Sequence, residues 1–168
     1  MPERKTLARA RADKRAGKAA STQAGEFIKE EFDHIKKGIH GARSTKQAIA
    51  IGLSKARRAG VKLAPPKAGK ASRSTRRQAA RDLAKNHGTQ ARSASAKRSL
   101  ATLSALRREG TEAASSRSIA RQAKAAAAAR TPSERSASAD RAARTKGPAG
   151  RSAAAAKAAR TRATHSSV

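Results

Sequence analysis

Large apolar residues recur at spacings of 4, 3 and 4 along one short stretch, at Ile28, Phe32, Ile35 and Ile39, with Phe27 beside them. That spacing is a helical stripe. It predicts an amphipathic helix over residues 23–37, with Ser21 or Thr22 as its cap. Lys36 and Lys37 fall in the last turn, where the helix dipole favours cations, and Gly38 supplies a stop. After the connector GIHGAR (38–43), Ser44 and Gln47 have the spacing of a capping box and open a second helix. Ile49, Leu53 and Ala56 form its apolar face, Arg57 and Arg58 its last turn, and Gly60 its end. Ala48, Gly52 and Ala56 repeat every fourth residue, a row of small side chains that lets another helix approach closely. Pro65-Pro66 then breaks the pattern. The two helices make a hairpin over residues 22–64.

Composition limits what lies outside that hairpin. Leu, Ile, Val and Phe total 17 of 168 residues, and ten of them fall between Phe27 and Leu63. A highly charged chain with less than roughly one-fifth of such residues is expected to be disordered. Alanine makes up most of the remaining apolar count, and it favours helix but buries little area. The expected fold class is all-α, a small helical hairpin with largely disordered or conditionally helical basic flanks. The flanks are a basic arm (1–21) and an Ala/Lys/Arg-rich tail (65–168).

Weak helical segments are expected in the tail at 74–86, 95–108 and 116–130. A fourth is launched by the capping box Thr131-Pro-Ser-Glu134 and ends near Gly147-Pro148, and a fifth spans 152–162. RSTKQAIAIGLSKARRAG (43–60) and RSTRRQAARDLAKNHG (73–88) read either as an internal echo or as coincidence in a biased composition.

Charge turns this outline towards a partner. The chain has 40 Lys and Arg against 11 Asp and Glu, a formal charge of +29. Between Asp33 and Asp82 lie 48 residues without a carboxylate. They hold Lys36, Lys37, Arg43, Lys46, Lys55, Arg57, Arg58, Lys62, Lys67, Lys70, Arg73, Arg76, Arg77 and Arg81, the candidate nucleic-acid contacts. A compact chain of such charge repels itself unless a polyanion offsets the field. Duplex DNA, with one charge per ~1.7 Å, would match the net charge of +29 over roughly fifteen base pairs.

Modules for single strands stack bases on aromatic rings. This chain has no Trp or Tyr, and Phe27 and Phe32 lie on the apolar stripe. Duplex phosphates are therefore the expected target, with structured RNA as the alternative through arginine stacking. On the helix at 45–59 most of the charge is C-terminal, which favours backbone contact over base reading. Glu26, Glu30, Glu31 and Asp33 on the first helix are expected on an outer face turned away from DNA.

Other chemistries find little support. Zero cysteines remove disulfides and thiolate metal sites. No apolar run approaches a membrane span, and no apolar segment follows the N-terminal charges as a secretory signal requires. Glu30, His34 and His40 do not close a ligand set, so neither a metal nor a cofactor is expected. No nucleophile–base arrangement or phosphate loop indicates an enzyme.

The segments Gly25-Glu-Phe27 and HIKKGIHGARSTKQAIAIGLSKARRAGVKL (34–63) resemble a family of small basic bacterial proteins of unassigned function. Its members carry an HGARSTKQAIAIGLSKARRAG-type segment and are loosely labelled DNA-binding or plasmid-stabilisation-like. The resemblance continues more loosely through 106–130, and the tail is similar in composition to those of linker histones. The shared segment diagnoses no chemistry; charge and composition are what lead us to expect a cytoplasmic, nucleoid-associated, largely sequence-nonspecific binder of double-stranded DNA. The rival expectations are an RNA- or ribosome-associated protein and a protein-binding adaptor localised by its tail.

Overall fold

A computed structural model describes residues 2–84 and 96–166, and all the regular secondary structure among them is helical. The helices are α1 (Arg4–Arg15), α2 (Ala20–Lys36), α3 (Thr45–Arg58), α4 (Arg73–Ala84), α5 (Ala96–Arg107), α6 (Ser116–Ala128) and α7 (Pro132–Ser166). A single 3-10 turn spans Glu112–Ala114. The chain divides into two compact units, Met1–Gln122 and Ala123–Val168.

The hairpin of α2 and α3 is present, and its seam is the row of small side chains. Ala48 and Ala56 are fully buried, and Gly52 lies between them against α2. A Cβ placed on Gly52 would meet the Ile28 backbone, 2.8 Å from Cα, so only glycine permits this approach. Ser44 caps α3 by accepting the Gln47 N–H at 3.2 Å. The return bond of the box goes from the Arg43 N–H to Gln47 Oε1 at 2.8 Å. The cap expected at Ser21 or Thr22 is not used, because α2 starts a turn earlier, at Ala20.

Two small cores flank the seam. One joins Ala10 of α1, Ala24 and Phe27 of α2, Ala56 of α3 and Val61, with Leu7, Leu53 and Leu63 packed at its edge. The other joins Ile35, Ala42, Ala48, Ala113 and Ala114, with Phe32 alongside. The apolar stripe on α2 is narrower than its spacing suggests. Phe27 and Ile35 are fully buried, Ile28 and Phe32 are half-buried, and Ile39 is exposed.

The expectation of largely disordered flanks is corrected, for two physical reasons. Alanine is small enough to pack where helices come close, so few large side chains are needed. Secondly, α4, α6 and α7 carry side-chain caps of their own, from Ser72, Ser115 and Thr131. Helix α1 packs on α2, and Thr6 and Ala10 are buried there. Helix α4 packs on α3. The turn at 112–114 lies beneath α2 and α3, where Thr45 Oγ1 donates to Ala113 O at 2.7 Å. Gly41 runs directly against the Glu109–Gly110 backbone, its N–H donating to Leu106 O at 2.8 Å.

In α7 the Thr131–Glu134 box forms in both directions. The expected break at Gly147-Pro148 is a kink, with Gly147 at φ 66° and ψ 175°. The echo between 43–60 and 73–88 does not extend to the caps. Ser44 caps α3, whereas the cap of α4 is Ser72, two residues before the matching Ser74. Residues 85–88 of that echo lie outside the described residues.

Candidate nucleic-acid interface and a buried ion cluster

The 14 cations singled out in the sequence divide by what their neighbours leave them free to do. Lys36, Lys37, Lys46, Lys62, Lys67, Lys70, Arg73, Arg77 and Arg81 are exposed and form no ion pair among the described residues. Arg76 is half-buried. Arg43 is exposed and 3.8 Å from Glu109. Between α3 and α4 runs a groove of about 600 Å³, with Arg77 and Arg81 of α4 on its wall. These two are four residues apart and so share a helix face.

Arg57, Arg58 and Lys55 have close partners within the chain. Arg57 is buried, and its Nε donates to Leu63 O at 3.0 Å while Nη2 reaches Ala64 O at 3.4 Å. It ties the segment that leaves α3 back onto the helix. Burial pushes its guanidinium below its ordinary pKa, and Asp82 opposes that shift. Arg58 donates through Nε to Asp82 Oδ1 at 2.8 Å but stays half-exposed. Asp82 is itself buried and also accepts from Ser54 Oγ at 2.6 Å and Gln78 Nε2 at 3.0 Å. It is the polar pin between α3 and α4.

Lys55 belongs to a cluster that sequence reasoning placed on the wrong face. Glu30 and Glu31 are buried, at 3% and 1% exposure, not turned outward. Lys55 Nζ lies 2.6 Å from Glu31 Oε2 and 3.6 Å from Glu30 Oε1. His40 Nε2 lies 3.1 Å from Glu31 Oε1. These are ion-pair separations, yet Glu30 Oε1 and both Glu31 oxygens accept no well-directed hydrogen bond. Glu30 Oε2 accepts the Glu3 N–H at 3.2 Å. His34 Nε2 holds Glu3 Oε1 at 2.9 Å, and that bond, aided by the charges of His34, Lys37 and Arg9, keeps the Glu3 carboxyl below its usual pKa against some desolvation.

The missed signal was spacing. Glu31 sits four residues after Phe27 and four before Ile35, in register with the buried stripe. A carboxylate at such a position has to meet a partner inside the fold. Lys55 lies four residues after Ile51 and one before Ala56, at the edge of the α3 seam, and supplies one.

Comparison with known proteins gives a match over part of the chain. Residues 11–68 match a family of unknown function, DUF6496. Neither a curated protein nor a solved structure matches the chain. The matched stretch contains α2, α3 and most of the buried ion cluster. Among the described residues, no helix is long and apolar enough to cross a membrane.

Proposed function

We propose that this protein binds double-stranded nucleic acid, largely without regard to sequence, by neutralising phosphates over an extended basic surface, and that in the cell it associates with the nucleoid. The observation that carries this reading is the set of exposed cations without acidic partners among the described residues. It runs from Lys36 and Lys37 through Lys62, Lys67, Lys70 and α4, and recurs along α6 and α7. In α6, α7 and the turn between them, Arg117, Arg121, Lys124, Arg130, Arg135, Arg141, Arg144, Arg151, Lys157 and Arg160 are all exposed. Each phosphate contact releases counterions, so affinity grows with the number of cations that reach the backbone.

The buried positions of Phe27 and, in part, Phe32 support phosphate contact over base stacking. Lys55 and Arg57 have no part in the interface. The groove walled by Arg77 and Arg81 is its most concave part.

Fluorescence anisotropy of the full chain with a labelled duplex, titrated from about 50 to 200 mM salt, tests the reading. Six to ten phosphate contacts give a loss of about 10³–10⁵ in affinity over that range. A flat salt response, or one site preferred about a thousandfold over random duplex, overturns it. Competition with structured RNA at equal phosphate decides which polyanion is preferred.

A further inference from the structure

We propose that Glu31, His34 and His40 form a zinc site joining α2 to the connector before α3. Each offers a ligand atom, and these atoms lie within 4.8 Å of one another. Glu31 and His34 are three residues apart on one face of α2, and His40 folds back from the turn that follows Gly38. Their rings stand edge to face, 6.0 Å between centroids. Two imidazoles and a carboxylate are a ligand set that zinc accepts, with the fourth position left for water.

Hydrogen bonding around His40 carries the argument. Its Nδ1 faces the Gly41 carbonyl at 3.1 Å. A carbonyl only accepts, so Nδ1 holds the proton and, in a neutral ring, Nε2 presents its lone pair. That nitrogen lies 3.1 Å from Glu31 Oε1, another acceptor. Two acceptors are brought together in a buried place, and Glu31 Oε1 has no hydrogen bond. Donor atoms on one zinc ion sit roughly 3.3 Å apart, because each bond is about 2.0–2.1 Å. They aim at a common point and not at each other. A cation between Nε2 and Oε1 satisfies both atoms.

Charge agrees with that placement. Glu30 and Glu31 bring two negative charges inside, and Lys55 brings one positive. Lys55 contacts the Oε2 side of Glu31, which leaves Oε1 to the metal. The Glu3 carboxylate behind His34, and the Gly41 carbonyl behind His40, are outer partners of the kind that orient ligating imidazoles. With Glu3 counted, three carboxylates balance Lys55 and one divalent ion. The inference does not rest on nucleic-acid binding.

The experiment is zinc titration of the full chain against a chromogenic chelator, with cobalt(II) substitution read by visible absorption. One zinc per chain is expected, and the cobalt form is expected to give the intense bands of a four-coordinate site. His34→Ala and His40→Ala are each expected to abolish stoichiometric uptake, and Glu3→Gln to weaken it about tenfold. The double variant His87→Gln/His165→Gln removes the other two histidines and is expected to keep full uptake. Circular dichroism checks that each variant is folded. If His40→Ala unfolds, the half-buried His34 decides the matter. No uptake by the parent chain, with both His40 ring nitrogens protonated by NMR, overturns the proposal in favour of a buried imidazolium. Uptake that survives His34→Ala also overturns it.

Discussion

Gly52 and Gly41 are the two described glycines whose Cβ would run into another segment's backbone. At Gly52 the neighbour is the α2 main chain at Ile28, which cannot swing aside as a side-chain tip would. Gly52→Leu is expected to cost about 1–3 kcal/mol by overpacking, read as a lower Tm. Ala50→Leu, on the exposed side of the same helix, should leave Tm nearly unchanged. A stabilised Gly52→Leu would mean that α2 and α3 do not meet along this row. Arg57 gives the opposite lesson about charge. Removing it strips the Leu63 and Ala64 carbonyls of a donor. Arg57→Ala is therefore expected to lower stability by about 1–3 kcal/mol while changing affinity for DNA little. Lys67→Ala, exposed and unpaired, should do the reverse. Equal effects of the two on DNA affinity would return Arg57 to the interface.

Among the elements, the hairpin was the most legible. Helix α3 has a sequence cap, a sequence stop and a row of small residues, and all three serve as local physics requires. The breaks around α6 and α7 were legible for the same reason: a capping box and a Gly-Pro pair act within a few residues. What sequence could not display was who covers whom. Ala113 and Ala114 look like any other alanines of the tail, and their burial depends on Ile35, Ala42 and Ala48 approaching from some seventy positions away. The ion cluster was hidden similarly, because reading Glu30 and Glu31 as polar assigned them to solvent. The turn at 112–114 is thus part of the fold. Ala114→Leu is expected to cost about 1–3 kcal/mol by overpacking, against almost nothing for the exposed Ala120→Leu. Equal Tm values for the two would show that the turn does not pack under α2 and α3.

For the whole molecule, two units carry unequal shares of order and charge. The unit Met1–Gln122 contains every buried residue among those described. The unit Ala123–Val168 holds helix with nearly every described side chain exposed. A chain ending at Gln122 is expected to keep its cooperative thermal transition. It should bind duplex DNA with a shallower salt dependence, since each lost phosphate contact lowers the slope by about 0.9. Loss of cooperativity would mean that the second unit helps hold the first together. An unchanged slope would confine the interface to residues before 123. In the full chain, circular dichroism should already read high helicity without DNA, because α3, α4, α6 and α7 have side-chain caps and the helices are rich in alanine.

The contact of Gly41 and Ala42 with the segment 106–114 also sets an order of events during synthesis. At about 5–20 residues per second, roughly four to fourteen seconds separate the emergence of Ala42 from that of Ala114. For that interval α2 and α3 can pair, but Ile35 has no lid. A ribosome-bound chain stalled with residue 100 just clear of the exit tunnel should recruit a hydrophobic-surface chaperone more strongly than one stalled beyond residue 122. Equal recruitment would mean that the early half is already closed. The late-arriving alanines act as a latch, and the newborn chain is most exposed to wrong partners just before they appear.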